Sequence, residues 1–171
     1  QFAAKHAEAI FCVYANIATC ARGVAKLREA TALAGRPSDG VKVCQGMSVV
    51  VAPTDEEARM KFETCKRYTS PEGSLALFSG WAGIDLSTIQ PDQPLDGRES
   101  NAIQGVLSFF KDVDPERRWT LREMGEWISL ASVMPKIVGS PTTVADEIER
   151  WIDETDIDGI NLAPPVQPTG F

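Results

Sequence analysis

The stretch VKVCQGMSVVVAPTDEEARMKFE, Val41 to Glu63, carries the plainest structural signal in the chain. Its valine-rich first part reads as a buried strand. Gly46 in the middle marks a bulge or a close backbone approach. Its second part reads as a helix, with Thr54 and Glu57 forming a capping box and Ala58, Phe62 and, just beyond, Cys65 on the inner face. A buried strand running straight into an amphipathic helix is half of a βαβ unit.

The pattern repeats on both sides. Upstream, AEAIFCV (Ala7–Val13) reads as a buried strand. A helix follows, with Ile17, Ala21, Val24 and Leu27 at helical spacing and Gly35 and Pro37 as stop signals. Downstream, IVGSPTTVADEIERWIDE (Ile137–Glu154) reads as a helix that follows a strand. Ser140 is the N-cap and Pro141 takes the first helical position, where its missing N–H costs nothing. Val144, Ile148, Trp151 and Ile152 form the apolar stripe, and Asp146 and Glu147 suit the helix dipole. Asp158-Gly159 is a turn, and Ile160 to Ala163 a last strand.

Between these flanks the texture changes. From Thr69 to Leu95 the mixture of Gly, Pro and Ser predicts loop or irregular structure, although Leu75, Leu77, Phe78 and Trp81 call for burial. Two shorter helices are predicted next. One spans Ser100 to Lys111 with Ile103, Leu107 and Phe110 inward. The other is TLREMGEWISLAS, with Thr120 and Glu123 as a second capping box and Leu121, Met124 and Ile128 inward. The order is therefore strand, helix, strand, helix, a long insertion at about 69–138, helix, strand. That alternation predicts an α/β fold with a parallel sheet. Three strands leave their edges open, so neighbours are expected from outside this stretch. The ends agree: QFAAKH reads as the tail of a helix, and the chain stops just after a strand, so a fragment of a longer chain is expected.

Composition narrows the function. The 171 residues are 43% hydrophobic and 24% charged, ordinary for one soluble domain. No apolar run reaches the roughly 18 residues of a membrane span. A net charge of -7 and a pI near 4.8 argue against a nucleic-acid partner. Cys12, Cys20, Cys44 and Cys65 lie far apart without a CxxC pair, and His6 is the single histidine, so no metal site is expected. Free thiols suit a reducing, cytoplasmic location. His6, before a strand, reads as a surface residue, and the acidic runs read as solvated helix faces.

In a βαβ unit each helix leaves from the strand's C-terminal end, and in barrels of such units the active site forms there. The loops at Tyr14, Pro53 and Gly139 and the residues after Asn161 should share that face. The long insertion leaves from it and returns to it, and loops of such length are usually functional or disordered. Its aromatic residues argue against disorder.

At this point the chain resembles a known family. FAAKHAEAIFCV, VKVCQGMSVVVAPTDEEARMKFE, LALFSGWAGIDLS and IVGSPTTVADEIERWIDETDIDGINLAPP, in this order, are similar to the bacterial-luciferase-like flavin monooxygenases. The branch is the one with nitrilotriacetate, dibenzothiophene-sulfone and long-chain alkane monooxygenases. The resemblance implies a (β/α)8 TIM barrel, of which this chain holds about the last three strands, with the missing N-terminal half as a structural partner and a homo-oligomeric assembly. It implies a two-component reaction in which a flavin reductase supplies reduced FMN, and O2 and a small organic substrate complete the chemistry. Met47 and Ser48 are candidate flavin contacts, with core packing the alternative. Asn161 and Leu162, at the end of the last strand, are further cofactor candidates. Cys12, Met134, Lys136 and Ile137 are candidate pocket residues, Lys136 as a cation near substrate or phosphate. Where the family often carries a His-Arg pair, this chain has Met134-Pro135. Trp81 reads as a hydrophobic anchor or a lid. Two alternatives stand beside the enzyme reading: a non-catalytic, structural half-barrel, and a relative using the deazaflavin F420.

Overall fold

The computed structural model describes residues 1–83, 85–94, 108–130 and 133–165. Along them run α1 (Phe2–His6), β1 (Ala9–Cys12), α2 (Ile17–Leu33), β2 (Lys42–Val51), α3 (Asp55–Lys66) and α4 (Pro71–Ala82). A 3-10 turn (Leu86–Thr88), a helical stretch α5 (108–113), α6 (Leu121–Ser129), β3 (Lys136–Gly139), α7 (Pro141–Thr155) and β4 (Gly159–Leu162) follow. The chain divides into two compact units, Gln1–Phe62 with Met134–Phe171, and Glu63–Val133.

The first unit is built on β2, whose ten residues are long enough to take different neighbours along its length. Every pairing is parallel. Cys44 and Gln45 pair with Phe11 and Cys12 of β1 and also with Gly159 and Ile160 of β4, so β1 and β4 occupy opposite edges of β2. The C-terminal half of β2 pairs with β3, from Ser48↔Lys136 to Val51↔Gly139. β1, β2 and β4 are the strands anticipated from the sequence. β3 is a short addition just ahead of the Gly-Ser-Pro stretch.

Local chemistry explains the helices between them. Asn16 caps α2 reciprocally with Thr19 (Thr19 N to Asn16 Oδ1 2.9 Å). Thr54 and Glu57 do the same for α3, with Thr54 N donating to Glu57 Oε2 at 3.1 Å. The core gathers Cys20 and Val24 of α2, Val43, Met47 and Val49 of β2, Val144 and Trp151 of α7, and Ile157. Ile152, placed on the apolar stripe by its spacing, instead stands 44% exposed, because the buried arc of α7 runs through Val144, Ile148 and Trp151.

At the start of β2 and β4 a polar knot ties three segments together. Arg28 of α2 donates to Asp156 Oδ2 (2.9 Å), to Asp158 Oδ2 (2.9 Å) and to the carbonyls of Val41 and Asp156. Asp158 also accepts from Val43 N–H (2.9 Å) and Lys42 Nζ (3.0 Å). Burial pushes the Asp158 carboxyl up, but the bonds from Arg28, Val43 N–H and Lys42 outweigh it and hold it at about 2.

The second unit is helical. The segment expected to be irregular from Thr69 onward contains α4, a full helix of twelve residues. Ser70 caps it by accepting from Gly73 N–H (3.0 Å), Pro71 opens it, and Gly83 closes it in the left-handed conformation (φ 65°). α4 packs on α6 at Gly125, where an added Cβ would lie 2.9 Å from Leu75 Cγ and 3.2 Å from the Pro71 carbonyl oxygen. Thr120 and Glu123 cap α6 as anticipated, Leu121, Met124 and Ile128 are buried, and Phe110 is enclosed by Phe78, Phe109, Trp119 and Trp127. Ile103, Leu107 and the Trp81 side chain lie outside the described residues.

Candidate active-site face

Strand alternation sorts the first unit's side chains onto two faces. Val43, Met47 and Val49 point into the core among α2 and α7. Cys44, Gly46, Ser48 and Val50 therefore point to the opposite face of β2. Parallel register carries the sorting to the neighbouring strands: Phe11 and Asn161 join this face beside Cys44 and Gly46, and Lys136 joins it beside Ser48. This second face is open at one end, where Phe11 is 76% exposed and Asn161 is exposed. It is closed at the other, where Ser48 and Val50 are buried.

Its middle is set by Gly46. A Cβ there would lie 3.2 Å from Val13 Cγ2, 3.5 Å from the Cys12 carbonyl oxygen and 3.6 Å from Met134 Cε. The close backbone approach anticipated at Gly46 is thus real. It lets Val13 and the Met134 methyl lie directly on the strand, with Asn161 as Gly46's register partner on β4. Lys136 is partly buried; its Nζ donates to the Met134 carbonyl (3.2 Å), and burial pushes its ammonium down to about 7.

Of the residues singled out from the sequence, Ser48, Asn161, Met134 and Lys136 come together on this face. Met47, Cys12 and Ile137 do not: Met47 and Ile137 lie in the core, and Cys12 packs against it, since each is one residue out of phase with this face. The Cys12 thiol lies 3.6 Å from Gln45 Oε1 and from the Cys44 carbonyl, and burial, with Cys20 and Cys44 nearby, pushes it up to about 11. Such a thiol is no nucleophile. Leu162 is in register with Met47, on the core-side phase, and half exposed at the strand end.

Gln45 was missed. Its fully buried amide clamps the β1–α2 loop, with Oε1 accepting from Tyr14 N–H (3.1 Å) and Nε2 donating to the Tyr14 carbonyl (3.1 Å) and to the Gly46 carbonyl (3.0 Å). The Tyr14 ring then lies against Gly23, where any Cβ would collide with it. The signal was legible: a buried amide in an apolar strand needs partners, and a neighbouring loop supplies them. The start of α7 is likewise anchored. Asp55 Oδ1 accepts from Ser140 N–H (2.7 Å) and from Thr143 Oγ1 (2.7 Å), so a side chain of the protein already occupies the helix N-terminus.

The helical unit holds a separate cleft of about 490 Å³, floored by Leu75, Ala76, Leu86, Ile89 and Leu121, with Glu72, Asp85 and Gln90 also on its walls. Among the described residues no three His, Cys, Asp or Glu side chains group as a metal site, and no helix is long and apolar enough to cross a membrane.

With this geometry in place, comparison with known proteins is decisive. The model of the luciferase-like monooxygenase family matches residues 1–158. The chain belongs to that family. It is 34% identical over 168 residues to the dimethyl-sulfide monooxygenase of Hyphomicrobium sulfonivorans, covering 98% of this chain and 35% of that protein. The crystal structure of DmoA from that organism superposes with a TM-score of 0.85, again over 99% of this chain and 35% of the other. Nitrilotriacetate monooxygenase component A of Aminobacter aminovorans is 32% identical over 171 residues, covering 98% of this chain and 38% of the relative. A riboflavin lyase, RcaE, solved with modified FMN and riboflavin, is 30% identical with a TM-score of 0.78, over 99% of this chain and 37% of that one. The chain thus spans little more than a third of the relatives it matches, and its sheet is part of a TIM barrel.

Proposed function

We propose that this chain is the C-terminal part of an FMN-dependent, two-component monooxygenase, in which a flavin reductase supplies reduced FMN and O2 is used to oxygenate a small organic substrate. The observation that carries the reading is the sheet face opposite the α2 and α7 core. In a barrel that face is the interior, and it presents Ser48 and Asn161 in the C-terminal halves of β2 and β4, the end where barrel enzymes do their chemistry, with Met134 and Lys136 at the entry to β3 beside Ser48 and Gly46. The full barrel is completed by the N-terminal half, with 69–138 as an insertion into a single barrel domain. The assembly is a cytoplasmic homo-oligomer.

The residues present fit one side of a flavin. Val13 and the Met134 methyl offer an apolar surface for a flat ring, and the Asn161 amide offers a donor and an acceptor to its polar edge. The flavin, once reduced and bound, supplies the electrons that activate O2. The protein's part is to orient and to exclude water. Gln45 holds the Tyr14 loop in place, and Val13 and the Met134 methyl cover Gly46.

Anaerobic titration with reduced FMN tests the reading, on this chain alone and on the chain joined to the N-terminal half of a relative's barrel. Micromolar binding by the completed barrel, followed on aeration by oxygenated product, is expected. Absence of flavin binding in both forms sinks the proposal.

A further inference from the structure

The chain has four methionines, and their settings differ. Met47 and Met124 are fully buried, one in the core of each unit, and Met60 on α3 is 57% exposed. Met134 is half-buried and stands on the sheet face opposite the α2 and α7 core. Its methyl would lie 3.6 Å from a Cβ built on Gly46, with Val13 Cγ2 3.2 Å from the same point. Backbone bonds hold it there. The Pro135 carbonyl, one residue on, accepts from Ser48 N–H (2.9 Å), and the Met134 carbonyl accepts from Lys136 Nζ (3.2 Å). Gly46 is what admits it, since a side chain at that position would fill the ground the methyl covers.

A thioether sulfur is soft and polarisable, and it takes up one oxygen atom to become a sulfoxide. The thiols of this unit compete poorly for that oxygen. Cys12 packs against the core and Cys20 is fully buried in it, while Cys44, on the same face as Met134, lies further back along β2, beside Gly159. Where reduced flavin and O2 meet on this face with no substrate between them, the Met134 sulfur is an oxidisable group already seated at the site. The step balances as an oxygenation. One atom of O2 forms the S–O bond and the other leaves as water, with two electrons and two protons from reduced flavin; sulfur gives up the other two electrons.

We infer that Met134 is a self-oxygenation site: in turnover without substrate its thioether becomes a sulfoxide, which weakens the hold on the flavin and so limits further turnover. This rests on the reading of that face as the flavin site, and it adds a regulation of that site. The sulfoxide sets a polar, chiral centre against Val13, where an apolar methyl lay. Methionine sulfoxide reductases reverse the change, so the device can be reset.

The test uses the completed barrel with reduced FMN under 18O2, with catalase present and substrate absent. Flavin binding and reoxidation are followed by absorbance in the same sample, and the methionine peptides are then weighed by mass spectrometry. The expected result is a gain of about 18 mass units, one labelled oxygen, on the Met134 peptide, at least about tenfold more than on the Met60 peptide, with Met47 and Met124 unlabelled. Catalase removes peroxide that escapes to solvent, so exposed Met60 reports leakage and Met134 reports oxygenation within the site. In the labelled protein the flavin affinity should fall about threefold or more, and methionine sulfoxide reductases should restore it. If flavin binds and is reoxidised but Met134 gains no more label than Met60, the inference is overturned while the flavin reading stands. Label on Met134 with unchanged flavin affinity overturns the self-limiting role. If no flavin binds, the parent reading fails and the inference falls with it. Because the label is read on the unmutated chain, misfolding of a variant cannot produce it.

Discussion

Two helices of this protein begin and end alike yet sit in different settings. α4 and α7 each start with Ser-Pro, Ser70-Pro71 and Ser140-Pro141, and each stops on a left-handed residue, Gly83 at φ 65° and Asp156 at φ 58°. At the α7 start, Asp55 reaches across from α3 and takes both Ser140 N–H and Thr143 Oγ1. At the α4 start, the Ser70 hydroxyl caps Gly73 N–H with no described carboxylate bridging in from another helix. At the stops, glycine adopts left-handed backbone freely, whereas aspartate is strained there by roughly 1 kcal/mol. Arg28 holds Asp156 through both its carboxylate and its carbonyl. The same caps are therefore local in α4 and tertiary in α7: α7 is fastened at both ends by other elements of its unit, and α4 is fastened along its side, at Gly125 of α6.

That contrast predicts where each helix breaks. The largest effect is expected at Gly125→Val. The added side chain meets Leu75 and the Pro71 carbonyl, which α4 cannot move without lifting off α6, and overpacking of this kind costs about 1–3 kcal/mol. Chemical denaturation should show the loss, and tryptophan fluorescence should report it because Trp119 and Trp127 lie in the same helical core.

At the α7 end the sensitive element is electrostatic. The Asp158 carboxyl is held at about 2 in the folded chain, below its ordinary value near 3.9. A depressed folded value means the carboxylate contributes stability that is fully present above the unfolded value and is lost as pH falls through the folded one. The melting temperature should therefore fall progressively from about pH 5 down to pH 2. Asp158→Asn should flatten this slope and cost on the order of 1–2 kcal/mol at neutral pH, discounted for partial exposure. An unchanged acid slope in the variant would show that the knot does not fasten the stop of α7.

How much of this was legible follows from the same pair. α7 was read correctly because its body repeats its cap's message: Val144, Ile148 and Trp151 recur at helical spacing, with charges between. α4 was read as irregular although Ser70-Pro71 carries the same start signal. Its body contains Gly73, Gly80 and two serines and no basic residue, so it shows no polar face, and tertiary packing on α6 rather than propensity makes it helical. β3 was legible only as the approach to Gly-Ser-Pro, because four residues carry too little periodicity to stand alone. On the candidate face, Gly46 and Asn161 came from position along the strands, and Met134 and Lys136 from the family resemblance. The distribution of neighbours between the two sides did not, since in a buried strand both faces are apolar and alternation in residue type disappears. Met47 and Ser48 were named together for that reason, and only the register separates them.

The smallest effects give the finest test. Ser70→Ala removes the hydroxyl that caps α4 and should cost about 1 kcal/mol, the usual value for a helix N-cap. Ser140→Ala removes an equivalent hydroxyl, with Thr143 N–H 3.3 Å away, but leaves Asp55 holding the Ser140 backbone N–H and the Thr143 hydroxyl, so it should cost clearly less. In Asp55→Ala the difference should close, since the Ser140 cap then stands alone as Ser70 does. Adding Ser140→Ala to Asp55→Ala should cost more than Ser140→Ala in the unaltered chain. Thermal denaturation of the four variants decides it. Equal losses for Ser70→Ala and Ser140→Ala, with additivity in the double variant, would mean that the Asp55 carboxylate does not share the work of the α7 cap.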